Sequence, residues 1–184
     1  MTLYNLEGAD AMSGAVSIVR AEGEGERLRF WGGGVLTMKA TSEETNGAFL
    51  LFEDLMPKGK STPLHTHANE DETLYVLEGE ILVHIDGENH PLGPLGVAVA
   101  PRGVPHAFLV VSETARVLTL QTPGTAEAFY RGASEPASAG ASPFGPVDFD
   151  LVKQSAARSG GMQLLGPPPF DMAKASADSH PIGG

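Results

Sequence analysis

Three histidines and one glutamate have the residue types and the spacing of a metal site. Only Thr66 separates His65 from His67. On a β-strand both histidine side chains would therefore lie on one face and could reach one ion. Glu72 begins an alternating run that predicts a second strand. His106 follows a turn that contains Pro and Gly and precedes another apolar run. Imidazole and carboxylate ligands suit iron, nickel, copper or zinc, and manganese less well. The sequence therefore predicts one divalent transition-metal ion per chain, with these four side chains as its ligands.

Two neighbouring acidic residues compete with Glu72 for the role of carboxylate ligand. Glu70 and Asp71 lie in the polar stretch between His67 and Glu72. We interpret both as a solvated acidic loop, because strand parity favours Glu72. If Glu72 faces a barrel interior, an unpaired carboxylate would be costly there and a bound cation would offset that cost.

The other three histidines are predicted to lie on the surface. His84 alternates with isoleucine and valine residues that would face inward, so its own side chain would face solvent. His90 precedes a proline and His180 lies near the end of the chain, and neither has neighbours that suggest a ligand set.

Short strands separated by Gly or Pro make up the middle of the chain. The predicted strands cover residues 35–40, 48–56, 74–77, 81–85, 97–100, 107–111 and 116–121. Many short strands with such turns are typical of a closed barrel or a double-sheet jelly roll, in which few strand edges are exposed. We therefore predict an all-β fold.

The flanking regions have less regular patterns. We expect residues 1–34 to form an N-terminal arm, in which 16–19 can be an edge strand, and 35–132 to form the barrel. Residues 133–146 are rich in Ala, Ser, Gly and Pro and are predicted to be a linker. Within 147–170, early acidic and late basic residues suit a short helix, followed by a short strand. This helix is predicted to cover one barrel mouth as a lid, and 171–184 to be a flexible tail.

The amino-acid composition limits the cellular compartment and the classes of binding partner that we expect. The chain has 184 residues, which suits one domain, and a formal net charge of -11, which opposes binding to nucleic acid or to an anionic membrane. Cysteine is absent, so disulfides and thiolate ligands are excluded. No signal peptide and no apolar run of membrane-spanning length are evident. We expect a cytoplasmic protein.

The candidate ligands and the surrounding Gly and Pro residues resemble the two motifs of the cupin family. The residues that match are Gly59, His65, His67, Glu72 and Gly79 in the first motif and Pro101, Gly103 and His106 in the second. Two positions differ, since Leu95 and Gly96 stand where the second motif usually opens with Gly-Asp, and Val110 stands where Asn is usual. The likeness covers roughly residues 36–122, and the layout of the rest is similar to quercetin-dioxygenase-like single-domain cupins.

The resemblance implies a fold and a function. The fold would be a cupin jelly-roll β-barrel, or double-stranded β-helix, with an N-terminal arm and a short C-terminal helical lid. The leading interpretation of function is a dioxygenase-like oxidoreductase that acts on a small aromatic, flavonol- or polyketide-like molecule, with O2 as a candidate co-substrate. Glu72 would be both a metal ligand and the catalytic general base. The resemblance also implies a homodimer.

Two other functions stay open at the level of sequence. The same metal without redox chemistry would serve an isomerase, cyclase or epimerase, because fold alone does not select a reaction. A non-catalytic module that binds a small molecule is the third possibility. Candidate lining residues of a substrate pocket are Met38, Phe49, Leu51 and Phe108, for which ordinary core packing is the alternative.

Overall fold

A computed structural model describes residues 16–30, 33–137 and 149–170 of the chain. Twelve β-strands lie within these ranges, at Arg27–Phe30 (β1), Val35–Ala40 (β2), Leu50–Pro57 (β3), Leu64–His67 (β4), Asp71–Glu78 (β5), Ile81–Ile85 (β6), Glu88–Leu92 (β7), Val97–Ala100 (β8), His106–Val110 (β9), Thr114–Thr122 (β10), Ser134–Pro136 (β11) and Met162–Gly166 (β12). A short 3-10 turn at Gly124–Ala126 leads into helix α1 (Glu127–Gly132), and helix α2 is Phe149–Ser159. No helix in the described ranges is long and apolar enough to cross a membrane.

The strands form two antiparallel sheets. One has seven strands in the order β11-β1-β2-β3-β10-β5-β8, and the other has five in the order β12-β4-β9-β6-β7. Burial alternates along β3 and β5, as expected for sheets with one face in the core. Apolar residues of both sheets, such as Val76 and Val117 on one and Ile81 and Val83 on the other, belong to one buried cluster. The sheets therefore pack face to face as a jelly roll, and the predicted all-β class is confirmed.

The C-terminal elements close one end of the space between the sheets. Strand β12 pairs with β4, so that Leu164 lies opposite His65 in the register. Helix α2 packs on α1, where the Ser155 hydroxyl donates a hydrogen bond to the Phe129 carbonyl at 2.8 Å. Val152 of α2 belongs to the same buried cluster as Phe129. The predicted helix near a barrel mouth is therefore present, next to β12, which pairs with the strand that carries His65 and His67.

Each strand predicted within residues 35–132 is present, with end shifts of a few residues, but some elements were missed. Strand β7 contains Pro91 and lies at a sheet edge, where the missing N–H of proline is tolerated. Strand β11 falls within the predicted linker 133–146, and α1 lies in the predicted barrel segment. Residues 16–19 do not form a strand. Residues 1–15 of the predicted arm, 138–146 of the linker and the whole predicted tail lie outside the described ranges.

Candidate metal centre

The two sheets bring the four predicted ligands together. His65 and His67 lie on β4, Glu72 on β5 and His106 on β9, which pairs with β4 so that His65 and His106 are register partners. One ligand atom from each residue lies within 4.8 Å of those from the other three. All four residues are at most 5% exposed. The predicted side chains therefore form a buried cluster that could hold a metal ion.

Backbone carbonyls orient two of the imidazoles. His65 Nδ1 lies 2.9 Å from the Pro63 carbonyl oxygen, and His106 Nδ1 lies 2.9 Å from that of Val104. A carbonyl oxygen only accepts, so each Nδ1 carries the proton and donates it. The Nε2 atoms are then the ones that can offer a lone pair to an ion, which is the usual arrangement of metal-binding histidines.

Hydrogen bonds hold both oxygens of Glu72. His106 Nε2 lies 2.8 Å from Oε2, to which it donates only while the ring carries a second proton, and a bound ion would replace that proton. Gln121 Nε2 donates to Oε1 at 2.7 Å. The Tyr130 hydroxyl donates to the same Oε1 at 3.3 Å. Burial acts to raise the pKa of Glu72, but the neighbouring His106 and His67 outweigh it and place the pKa well below the usual 4.5. Glu72 is therefore an anion that faces three imidazoles.

The same surroundings shift the histidines in opposite directions. Burial, together with the charge of His106, lowers the pKa of His65 to about 3. Burial also acts to lower the pKa of His106, but its hydrogen bond to Glu72 outweighs that effect and raises the pKa above 6.5. His65 is thus a neutral imidazole, the form that ligates metals.

One buried atom of the cluster lacks a partner, and this tests whether the residues fit a metal. His67 Nε2 has no hydrogen-bond partner within the described part of the chain, and it lies 3.7 Å from Glu72 Oε2. A buried polar atom without a partner is costly. A cation held between the imidazole nitrogens and the carboxylate would satisfy this atom, so the donor set fits the metal that the sequence predicts.

The prediction of a solvated Glu70 was wrong. This residue is 2% exposed, its Oε1 accepts a hydrogen bond from the Thr125 hydroxyl, and its Oε2 lies 3.9 Å from His67 Nδ1. Strand parity could not separate Glu70 from Glu72, because residues two apart share a face. Asp71, between them, does lie on the surface, where it pairs with Arg102 at 3.0 Å.

The two other described histidines are not part of the cluster. His84 Nδ1 lies 2.7 Å from the Asn89 side-chain oxygen in an exposed contact, and His90 is exposed. Both placements agree with the prediction. His180 lies outside the described residues.

A cavity between the two sheets opens beside the cluster. Its volume is about 660 Å³, including space open to solvent, and His65 and Glu72 form part of its wall. Other parts of the wall come from Phe52 of β3, Phe108 of β9 and Val152 of α2. Most of its lining is apolar, as in sites for small organic molecules.

Of the four predicted pocket residues, Phe108 lines this cavity. Within the described residues, Met38, Phe49 and Leu51 lie elsewhere. Met38 is 1% exposed in the core, and Phe49 precedes β3. Burial along β3 begins with Leu50 and alternates, so Leu51 faces away from the cavity. The inward positions of β3 are therefore the even-numbered ones.

An ion pair that the sequence analysis missed also lines the cavity. Asp54, on β3, is part of the wall, and its Oδ2 lies 2.8 Å from Lys60 Nζ. The side chains are 8% and 1% exposed, respectively. Burial raises the pKa of Asp54 although Lys60 opposes the shift. The alternation of Leu50, Phe52, Asp54 and Met56 was the signal that could have revealed an inward carboxylate.

Comparison with known proteins agrees with this geometry. A family model described as the cupin domain matches residues 51–120, which include all four candidate ligands. The chain contains a cupin domain. This cupin is 30% identical over 144 residues to quercetin 2,3-dioxygenase of Bacillus subtilis (strain 168). That alignment covers 77% of this chain and 42% of the Bacillus protein, so the cupin spans less than half the length of that relative.

Solved structures give the same fold. KdgF from Halomonas sp. superposes with a TM-score of 0.51 at 20% identity, covering 59% of this chain and 94% of that one. An RmlC-like cupin from Shewanella frigidimarina superposes with a TM-score of 0.53 at 20% identity, covering 60% of this chain and 94% of that one. At this identity the likeness concerns the fold. The buried ligand cluster and the family together support a metal-binding cupin that resembles the quercetin dioxygenase-like members.

Proposed function

We propose that this cupin is a metal-dependent, dioxygenase-like oxidoreductase that acts on a small aromatic, flavonol- or polyketide-like molecule, with O2 as co-substrate. The observation that carries the proposal is the buried three-histidine, one-carboxylate cluster at the wall of a largely apolar cavity. The Bacillus relative supports it, because the protein named quercetin 2,3-dioxygenase aligns with 77% of this chain.

The ligands would be His65, His67, Glu72 and His106. A divalent ion held there would supply Lewis-acid polarisation of a substrate oxygen and open coordination positions. The apolar walls, including Phe52 and Phe108, would orient a flat substrate and exclude water.

Glu72 is the residue that we propose as general base. Gln121 and Tyr130 hold its Oε1, while Oε2 faces the imidazoles. A substrate hydroxyl that enters beside Oε2 would transfer its proton to this oxygen, and the fixed Oε1 would keep the carboxylate in place during the transfer. The same carboxylate would also serve a redox-neutral isomerase, which is the second candidate that this geometry favours.

Oxygen consumption by the metal-loaded protein tests the proposal. With quercetin as substrate, we expect O2 uptake in step with loss of the flavonol. Glu72→Gln should retain metal, because an amide oxygen can still ligate, but turnover should fall roughly 10²- to 10⁴-fold, the usual contribution of a general base. Glu78→Gln, an exposed substitution on the same strand, is the matched control and should behave as wild type.

Each other result has a defined meaning. Substrate conversion without O2 uptake would favour the isomerase, cyclase or epimerase alternative. A metal that raises the melting temperature while no substrate is converted would favour a non-catalytic binding module. If Glu72→Gln kept both its metal and full turnover, the assignment of the base would be wrong.

We also propose, from the resemblance, that the protein is a cytoplasmic homodimer. Strand β8 is an edge of the seven-stranded sheet, and Val97 and Val99 on it are 54% and 52% exposed. An edge with exposed apolar residues supports pairing of this kind. Light scattering coupled to size exclusion would show a monomer if the proposal is wrong.

A further inference from the structure

The buried ion pair of Asp54 and Lys60 lies at the end of the cavity away from the metal centre. In the strand register, Asp54 is opposite Val117 of β10, and Glu72 is opposite Gln121 of the same strand. The two carboxylates therefore differ by four residues along β10. At about 3.3 Å per residue, this offset along the strand direction is about 13 Å, comparable to the length of an elongated small molecule.

One oxygen of Asp54 lacks a partner. Lys60 Nζ binds Oδ2, but Oδ1 is buried and has no hydrogen-bond partner within the described residues. Apolar replacement of a buried ion pair is often neutral or stabilising, so fold stability does not explain this pair. Because Asp54 lines the cavity, a donor group on a ligand that displaces the surrounding side chains slightly could satisfy this unpartnered oxygen.

The surrounding backbone leaves room for the pair. A Cβ atom at Gly34 would lie 3.0 Å from Lys60 Nζ and 3.2 Å from Asp54 Oδ1, and Gly34 has a φ of +120°, which favours glycine. The ammonium also lies 5.3 Å from the centre of the Phe30 ring. The pair is therefore held on several sides, while Asp54 still forms part of the cavity wall.

The chemistry of the pair selects the ligand. Lys60 is already paired with Asp54, so the described lining of this end offers no free cation for a carboxylate or phosphate. The free acceptor favours a hydroxyl donor, and the walls between the two ends, which include Phe52, Ile81 and Phe108, favour an apolar, flat body. We infer that Asp54, positioned by Lys60, binds a phenolic hydroxyl at the end of the substrate opposite the metal-facing oxygen. This inference rests on the proposed function and narrows its substrate class to molecules with a distal phenol.

Binding of two flavonols tests the inference. Quercetin and galangin differ only in the two hydroxyls of the pendant ring. Calorimetry on the metal-loaded full chain, without O2, should show wild type binding quercetin more tightly by roughly ten- to hundredfold, as expected for a hydrogen bond to a charged group. The double variant Asp54→Leu/Lys60→Met removes both charges together, so neither is left buried and unpaired. It should bind the two flavonols within about twofold of each other.

The control variant changes a residue of the same strand, β3, whose side chain lies on the outward face of the sheet. Glu53→Gln alters the neighbouring residue, which pairs with Arg116 on the other side of the sheet, and should keep the preference of wild type. The inference is overturned if wild type does not discriminate between the flavonols, or if the double variant retains the preference.

Failure of the inference can be told apart from failure of the proposed function. Binding is measured at equilibrium, so a protein that discriminates but does not oxidise quercetin would support the inference while contradicting the dioxygenase. If neither flavonol binds, the flavonol assignment fails, and the metal-free protein is titrated with catechol and with toluene by NMR. The inference would be supported if catechol, but not toluene, changes the chemical shifts near Asp54 and if the double variant abolishes these changes. Equal shifts with both fragments, or none, would overturn it.

Discussion

The two ends of the cavity each contain a buried carboxylate, but in opposite electrostatic surroundings. Glu72 and Asp54 are both 5% exposed, and both lie on inward positions of the seven-stranded sheet. Burial raises the pKa of each, yet histidine donors lower the pKa of Glu72 below its usual range, whereas Lys60 does not prevent the rise at Asp54. The difference shows that the donors around a buried carboxylate, more than its depth, decide the direction in which its pKa shifts.

The same contrast separates two kinds of binding site. The Glu72 end has several imidazole nitrogens that offer lone pairs and one that lacks a partner, which suits a cation. At the Asp54 end an ammonium already supplies the positive charge. We therefore expect metal at one end and a neutral donor group at the other.

The largest expected effect is loss of metal from the Glu72 end. A His65→Ala/His106→Ala variant removes two of four ligands, so elemental mass spectrometry should show a fall from about one ion per chain to nearly none. His84→Ala is the matched control, because His84 lies on the surface, and should keep its metal. Equal metal content in the ligand variant and wild type would break the comparison.

The next effect concerns the Asp54 end and is one of stability. Lys60→Met would leave Asp54 buried without its partner, and we expect the free energy of unfolding to fall by about 3–5 kcal/mol near neutral pH. The measurement is urea denaturation. Lys58→Met, which breaks an exposed pair with Glu113, should cost about 0–1 kcal/mol.

The pH dependence of this loss has a definite sign. The folded pKa of Asp54 is raised above 3.8, so the folded state binds the proton more tightly than the unfolded state, and stability declines as pH rises through the folded pKa. Without Lys60 the pKa should rise further. The loss in Lys60→Met should therefore shrink as the pH is lowered towards the ordinary range of aspartate. A loss that is independent of pH would show that the charge of Asp54 is not its cause.

The smallest effect is expected from Glu70, which lies behind the metal end. His65 and His106 each have a backbone carbonyl at Nδ1, whereas the nearest acidic oxygen to His67 Nδ1 is Glu70 Oε2 at 3.9 Å. Glu70→Gln should weaken metal binding about 10- to 100-fold, as for other groups that orient metal-bound imidazoles. Competition with a chelator measures the affinity, and the exposed Asp71→Asn is the control. Unchanged affinity in Glu70→Gln would exclude an orienting role.

Local patterns were enough to predict the ligands and most strands. Period-two alternation places His65 and His67 on one face whatever the rest of the chain does, and Gly and Pro turns mark the strand ends. Strand β11 could not be predicted in this way. It has only three residues, in a segment that contains Ser and Pro, and it forms only because it pairs with β1, more than a hundred positions earlier in the sequence.

Contacts between side chains of different elements also explain what was missed at the site. Asp54 was not singled out from the sequence, and its contact with Lys60 makes its burial possible. Glu70 was assigned to a solvated loop, although Thr125, which follows β10, covers it. Both residues share the parity of inward neighbours, so a sequence pattern can indicate the face but not the partner that makes a charge tolerable there.

The position of β12 has an evolutionary consequence. All four candidate ligands lie within residues 51–120, whereas Tyr130, Val152 and Leu164, which help to close the cavity, follow that segment. The metal ligands and part of the cavity wall are thus encoded in one stretch of the gene and the rest of the wall in another, so this later part of the wall can diverge under selection while the ligands stay unchanged. Because β12 pairs directly with the strand of His65 and His67, exchange of the later stretch between relatives should be tolerated only when this pairing is preserved.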